Sequence, residues 1–181
     1  MYELAILSLL MRQPAHGYLI SKVLSNIIGP MAKPSNGRIY PLLARLEESG
    51  LITARDEELD GRPARIYRIT PKGRERFREM MLDTDSYPKE YQELFALKVT
   101  VFPLIQPEER VRLIAHYEQY ALAHIAHLKA GLSEVGSGGI PEEGAPLRLV
   151  LLHRLDQWEL ELAWAKSLRA LYPTPRTRTP K

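Results

Sequence analysis

The chain of 181 residues contains no cysteine, which excludes disulfides, thiolate metal sites and cysteine nucleophiles. No apolar run reaches the roughly 20 residues that span a bilayer. The opening segment Met1–Leu10 lacks a basic region and carries Glu3, so we expect neither a signal peptide nor a membrane partner. Phosphate-binding glycine loops, Ser/His/Asp arrangements and carboxylate–histidine metal motifs are also missing. The absences predict a cytoplasmic protein that is not an enzyme and holds no cofactor.

Charge is present but unevenly distributed. Residues 1–80 hold 13 Lys/Arg against 9 Asp/Glu, whereas residues 81–181 hold 12 against 13. Within Arg62–Arg78, seven side chains are basic and only Glu75 is acidic. A basic N-terminal half suggests that one end of the protein meets a polyanion. From charge alone, an ordinary solvated face explains the same pattern equally well.

The N-terminal half has the element order of a winged helix-turn-helix domain. Apolar periodicity and capping signals predict three helices, then two strands joined by a loop, then a fourth helix. The predicted segments are Tyr2–Arg12, His16–Ile28 and Ser35–Gly50 for the helices, Leu51–Arg55 and Ala64–Ile69 for the strands, and Asp56–Pro63 for the loop. Thr70 and Pro71 suit the N-cap and first position of the fourth helix.

The third helix is the predicted recognition helix. Its apolar residues, Ile39, Leu42, Leu43 and Leu46, share one face, and Gly50 suits its C-cap. Basic and hydrogen-bonding side chains fall largely off that face, where base edges and phosphates could be contacted. The predicted DNA-binding residues are Lys33, Ser35, Asn36, Arg38, Tyr40 and Arg45, with Arg62 and Arg65 on or beside the wing tip.

Two features of this half need a specific interpretation. Pro41 cannot donate a helical hydrogen bond, so we expect the regular part of the third helix to begin near Ile39, after an irregular opening. His16 is expected to cap the second helix. Tyr18 is expected either to pack into the core or, with Lys22, to touch the DNA backbone.

The C-terminal half reads as helical. Helices are predicted over Tyr87–Phe102, from Pro107 through an apolar stripe that ends at Leu128, and over Leu147–Tyr172, with a flexible connection at Gly131–Pro146. The last helix carries two apolar stripes, so it needs two neighbours. The two neighbours are either its own domain and a second subunit, or core residues of the same chain on both sides. The predicted dimerisation residues are Leu151, Leu155, Trp158, Leu162 and Trp164.

Three histidines in one helix raise the question of a metal site. His124 and His127 are neighbours on the helix surface, but His116 lies three turns from His127, roughly 16 Å away along the axis. Two imidazoles without a third ligand make a poor site. We therefore expect no bound metal.

Three motifs in the first 80 residues resemble one family. They are His16-Gly17-Tyr18, Ser35-x-Gly37-x-Ile39-Tyr40-Pro41-x-Leu43-x-Arg45-Leu46-Glu47-x-x-Gly50-Leu51, and Gly61-Arg62-Pro63-x-Arg65-x-Tyr67-x-Ile69-Thr70-x-x-Gly73. Together they resemble the PadR family of bacterial transcriptional regulators, in its longer subgroup with a helical C-terminal region. The resemblance implies a dimeric winged-helix repressor, or less often an activator. Family members bind operators with two-fold symmetry, and some respond to small aromatic or drug-like molecules.

The sequence thus predicts a mainly α protein with a small β-wing. A winged helix-turn-helix domain at residues 1–82 is followed by an all-α dimerisation and effector domain at 83–174 and a flexible basic tail at 175–181. The expected function is a homodimeric, nucleoid-associated repressor on double-stranded operator DNA, released by a small aromatic or drug-like ligand. Two alternatives stay open: a winged-helix module for protein–protein interaction, and a constitutive regulator without a ligand site.

Overall fold

The computed structural model describes residues 1–28, 36–59, 62–86, 90–136 and 145–173. The helices are α1 (Tyr2–Arg12), α2 (Gly17–Ile28), α3 (Asn36–Glu48), α4 (Pro71–Leu82), α5 (Tyr91–Thr100), α6 (Pro107–Gly136) and α7 (Ala145–Leu171). The strands are β1 (Ala15–His16), β2 (Ile52–Leu59) and β3 (Arg62–Ile69), and a 3-10 turn spans Phe102–Leu104. The predicted fold class, mainly helical with a small β-wing, is confirmed.

The wing is a three-stranded antiparallel sheet with strand order β1-β3-β2. Two details of the prediction are wrong. The strand β1, in which Ala15 pairs with Tyr67, was not expected, because two residues carry no periodic signal. The segment 56–59 forms a strand and not a loop. Its acidic residues have low β-propensity, but each has a partner on β3, as in the pair Asp56 and Arg65.

A buried apolar layer holds α1 to α4 together. It contains Leu4, Ile6, Leu7, Ile20, Leu24, Ile39, Leu43, Phe77 and Met81. The predicted cap of α4 is confirmed, since the Thr70 hydroxyl accepts a hydrogen bond from the Gly73 amide at 3.0 Å. Gly73 itself lies so close to β2 that a Cβ would stand 2.0 Å from the Leu51 carbonyl oxygen. The start of α4 is therefore fixed against the wing.

The C-terminal end of α3 is closed by a Schellman motif. The amides of Gly50 and Leu51 donate to the carbonyls of Glu47 and Leu46, both at 2.9 Å, and Gly50 has a φ of 71°, a conformation that glycine adopts readily. The expectation that the regular part of α3 begins near Ile39 is wrong. The helix begins at Asn36, three residues before Ile39, and it contains Pro41. One missing helical hydrogen bond does not prevent the first turn from forming.

The chain divides into two compact units, Met1–Ile105 and Gln106–Lys181. The first includes α5, where Tyr91, Leu94, Phe95, Leu97 and Lys98 are all buried. The helix is shorter than the predicted span Tyr87–Phe102. The functional domain boundaries at residues 82 and 174 stay predictions, and the predicted tail at 175–181 lies outside the described residues.

The second unit consists of α6 and α7. Glu118 pairs with Arg169, and Lys129 pairs with Glu159 at 3.4 Å. Residues later in α6 thus contact residues earlier in α7, so the two helices are antiparallel. The predicted stripe on α6 is buried, from Ile114 through Tyr117, Ala121 and Ile125 to Leu128. Both helices extend into the segment predicted as a connection, of which residues 137–144 lie outside the described part of the chain.

Candidate nucleic-acid interface

The predicted recognition helix, α3, has a buried side and a solvent side. Ile39, Leu43 and Leu46 are almost fully buried against the rest of the domain. Arg45 is exposed, and half of the Tyr40 side chain is accessible, at 50%. Since the apolar face anchors the helix, the opposite face presents a phenol and a guanidinium to a partner.

The structure describes the predicted DNA-binding residues to different extents. Lys33 and Ser35 lie outside the described residues. The backbone of Asn36 and Arg38 is in the first turn of α3, and the backbone of Arg62 opens β3 at the end of the wing. The side chains of these three lie outside what the structure describes. Tyr40, Arg45 and Arg65 are described in full.

Tyr40 lies against the start of α2. A Cβ added to Gly17 would stand 3.1 Å from Tyr40 Cε1 and 3.2 Å from its hydroxyl oxygen. Such contacts are tighter than side chains normally make, so the glycine leaves room for the ring. Gly17 is part of a motif in the sequence, but the sequence alone does not show why a glycine is needed there. The reason is this close approach between α2 and α3.

The neighbours of Gly17 settle two of the expectations. His16 Nδ1 accepts a hydrogen bond from the Leu19 amide at 3.4 Å, a long but capping contact at the start of α2. Tyr18 is 73% exposed, so the interpretation of Tyr18 as a core residue is wrong. Its ring is parallel to that of His16, with centroids 6.2 Å apart. Tyr18 and the exposed Lys22 are one turn apart on the surface of α2.

The wing arginine Arg65 is bound to the recognition helix. Its Nη2 donates to both carboxylate oxygens of Glu47, at 3.0 and 3.2 Å. The two side chains are 52% and 33% exposed. The hydrogen bonds and the charge of Glu47 raise the pKa of Arg65 above its usual value. Glu47 was not among the predicted site residues, since nothing in the sequence relates two residues 18 positions apart.

Much of the basic run between Arg62 and Arg78 is engaged within the protein. Arg68 pairs with Glu57, at 2.8 Å for one of its two hydrogen bonds. Arg76 pairs with Glu3 at 2.9 Å, and Lys72 donates to the Ser49 carbonyl at 2.9 Å. The basic run, which extends from the wing into α4, is therefore largely structural and does not present seven unpaired cations to a partner.

The predicted dimerisation residues lie on α7. Trp158 stacks on His124 of α6 with ring centroids 4.0 Å apart, and Trp164 meets Tyr117 edge-on at 6.1 Å. Burial lowers the pKa of His124, and the charges of His127 and Arg154 lower it further. Leu151, Leu155, Trp158, Leu162 and Trp164 are all only partly buried. Packing within the chain thus leaves part of each side chain accessible, and their role in dimerisation stays a prediction.

Two absences hold for the described part of the chain. No group of three His, Asp or Glu side chains there is placed to hold a metal ion. No helix in these segments combines the length and apolar character that a membrane span needs.

The N-terminal part of the chain matches a known protein family. The sequence profile described as "Transcriptional regulator PadR-like family" matches residues 6–79, a range that covers most of α1, all of α2 and α3, the wing and most of α4. Residues 6–79 of this chain form a domain of the PadR-like family of transcriptional regulators. The PadR-like family is one of transcriptional regulators and not of enzymes. The match therefore confirms the prediction that this chain is not an enzyme.

Individual relatives match to different extents. "Transcriptional regulator YqjI" of Escherichia coli is 46% identical over 56 residues, which are 31% of this chain and 27% of that protein. The match thus spans about a quarter of the length of that relative. "Negative transcriptional regulator PadR" of Bacillus subtilis is 22% identical over 173 residues, with 92% of this chain and 94% of that protein covered. The crystal structure of Bacillus subtilis PadR in complex with operator DNA aligns over 93% of this chain and 96% of that one, at 22% identity and a TM-score of 0.43.

Proposed function

We propose that this chain is a sequence-specific DNA-binding regulator that acts as a homodimeric repressor on an operator with two-fold symmetry. The observation that carries the proposal is the solvent face of α3. In a domain of the PadR-like family, the helix that follows α2 and precedes the wing presents Tyr40 and Arg45 to solvent. Hydrogen-bonding and cationic side chains on such a helix are what groove and phosphate contacts need.

In this proposal α3 enters the major groove, and the two half-sites lie about 10 bp apart or a multiple of that spacing. Asn36 and Arg38, in the first turn, contact base edges, because the N-terminal residues of a recognition helix reach the bases. The backbone contacts come from Lys33, Ser35, Tyr40, Arg45 and Arg62. Arg65 belongs to this predicted set by position, but its ion pair with Glu47 sets it apart from the other cations.

The homodimer is proposed to form through α7. Besides the five partly buried dimerisation residues, Leu149, Val150 and Leu160 on the same helix are more than half exposed. Soluble monomers rarely leave large contiguous apolar patches in contact with water. A second copy of the chain would cover this helix, and a symmetric dimer would match an operator of two-fold symmetry.

We also propose that a small aromatic acid releases the protein from its operator. The support is a relative: Bacillus subtilis PadR has been crystallised with p-coumaric acid. Within the first compact unit, a cavity of about 130 Å³ lies among α1, α2 and α5 and includes Arg12 and Thr100. This is smaller than the 300–1,000 Å³ of typical ligand pockets. A ligand there would have to open the cavity, and a constitutive regulator remains the alternative.

The test is fluorescence anisotropy of the purified chain with DNA from upstream of its own gene and with a scrambled duplex. We expect a preference of about 10³ or more for the upstream DNA, and binding that weakens steeply as salt rises. Arg45→Gln should weaken binding to both duplexes, whereas Arg112→Gln, at an exposed position of α6, should not. p-Coumaric acid, added to the complex, should lower the anisotropy if the effector proposal is right.

The competing proposal is a module for protein–protein interaction. In that case neither duplex would be preferred, and Arg38→Ala and Tyr40→Ala would leave DNA binding unchanged. A genomic pull-down would separate this result from an operator elsewhere in the genome. A regulator of this kind acts at the nucleoid in the cytoplasm, which fluorescence microscopy of a tagged chain would check.

A further inference from the structure

The ion pair between Glu47 and Arg65 joins the two parts of the DNA-binding surface. Glu47 lies in the last turn of α3, and Arg65 lies in β3 of the wing. One guanidinium nitrogen contacts both carboxylate oxygens, at 3.0 and 3.2 Å. The pair is therefore a direct polar link between α3 and the wing.

Arg65 has further neighbours on the protein. In the strand register it stands opposite Asp56 of β2. The negative charge of Asp56 also raises the pKa of the guanidinium. Burial raises the pKa of the Tyr67 phenol, and the adjacent guanidinium of Arg65 opposes that rise by charge and by a hydrogen bond. Besides the contact with Glu47, the charge of Asp56 thus acts on this cation, and the cation acts on the phenol of Tyr67.

Arg45 provides the contrast. It is exposed on α3, and its side chain takes part in none of the hydrogen bonds and ion pairs found among the described residues. A DNA phosphate that approaches Arg45 displaces water only. A phosphate that approaches Arg65 meets a guanidinium that already donates to Glu47 through Nη2.

We infer that Arg65 is a positioning residue: its pair with Glu47 fixes the wing against the recognition helix, and its guanidinium is not one of the phosphate contacts. The inference rests on the proposed DNA binding through α3 and the wing. It replaces the sequence-based role of Arg65 as a backbone contact. It also gives a role to Glu47, an acidic side chain at the edge of a surface that must bind a polyanion.

The first experiment counts phosphate contacts by the salt dependence of binding. The slope of log K against log salt changes by about 0.9 for each phosphate of duplex DNA that the protein no longer neutralises. We expect Arg45→Gln to flatten the slope by about 0.9 and Arg65→Gln to leave it within about 0.3 of the wild-type value. If Arg65→Gln flattens the slope as much as Arg45→Gln does, Arg65 is a phosphate contact and the inference is overturned.

The second experiment tests whether Arg65 acts through Glu47. At fixed salt, Arg65→Gln should lower operator affinity about two- to fivefold, the range expected for a partly exposed ion pair. In a Glu47→Gln background the same change should have no further effect, because interacting residues are not additive. Glu48→Gln is the matched control, since Glu48 is the exposed neighbour of Glu47 and the loss should persist beside it. Equal losses in all three backgrounds, or no loss at all, would contradict the positioning role.

The two proposals fail in different ways. If the wild-type chain shows no preference for upstream or genomically selected DNA, the proposed regulator function fails. The slope comparison of Arg45→Gln and Arg65→Gln is still run on the scrambled duplex and still judges Arg65. If the wild-type chain binds no duplex at all, the inference about Arg65 falls with the function.

Discussion

Lys98 should make the protein less stable at neutral pH than at alkaline pH. Its side chain is fully buried, at 0% exposure, and its Nζ donates to the Asp83 carbonyl beside the end of α4. The Tyr91 ring lies 5.9 Å from the ammonium nitrogen. Burial lowers the pKa of Lys98 from 10.5 to about 8, although the charge of Asp83 opposes the change.

The size of the effect follows from that pKa. Each pKa unit corresponds to about 1.4 kcal/mol, so the burial of the charged form costs about 3 kcal/mol. Between pH 8 and 10.5, the pKa values of the folded and unfolded chain, the unfolded state binds more protons. The free energy of unfolding therefore rises with pH across this window. Below pH 8 the destabilisation is present in full.

The assay compares urea unfolding of the wild type and Lys98→Met at pH 7 and pH 10. Methionine keeps the length of the side chain but has no charge, so the variant lacks the pH-dependent term. The difference in unfolding free energy between the two proteins should change by about 2–3 kcal/mol between the two pH values. Loss of the hydrogen bond to Asp83 adds a contribution of about 1 kcal/mol, which is largely the same at both pH values and cancels in the comparison.

Lys22→Met is the control, because Lys22 is exposed in the same compact unit. This variant removes one positive charge without removing a buried group, so it separates the effect of burial from the effect of net charge. If the difference between the wild type and Lys98→Met stays constant within about 0.5 kcal/mol, the ammonium is not buried as a charged group, and the pKa argument is refuted.

Three other predictions concern the supports of the DNA-binding unit. Gly73→Ala should lower the unfolding free energy by about 3 kcal/mol or more, since the new Cβ would meet the Leu51 carbonyl oxygen at 2.0 Å; a change below about 1 kcal/mol in urea unfolding would contradict this packing. Thr70→Ala should lower it by about 1 kcal/mol through loss of the α4 cap, and Thr70→Ser should recover most of that loss. Gly17→Ala should move the Tyr40 ring and weaken operator binding severalfold in anisotropy assays, and unchanged binding would show that the ring position is not needed.

Local signals in the sequence were enough to identify the helices and some of their ends. Apolar periodicity gave α1 with its observed bounds, and the residue chemistry at Gly50 and Thr70 gave two caps that the structure confirms. Such features depend on neighbours in the chain. They are therefore visible before the fold is known.

What the sequence could not give depends on contacts between distant residues. The strand β1 exists only because Ala15 meets Tyr67, and the pair of Glu47 with Arg65 needs the wing to fold back on α3. The full burial of Lys98 also depends on the elements packed around its helix. The same is true of the approach of Tyr40 to Gly17.

The Schellman turn after α3 has a consequence for how such a regulator can diverge. Gly50 and Leu51 close the helix, the Thr70 hydroxyl donates to the Gly50 carbonyl at 2.7 Å, and Gly73 packs on Leu51. All these supports lie at the C-terminal end of α3, whereas Asn36 and Arg38 lie at its start. Duplicated genes can therefore exchange the residues at the start of the helix, which are the proposed base contacts, and acquire new target sites. The frame that holds the helix in place is inherited unchanged.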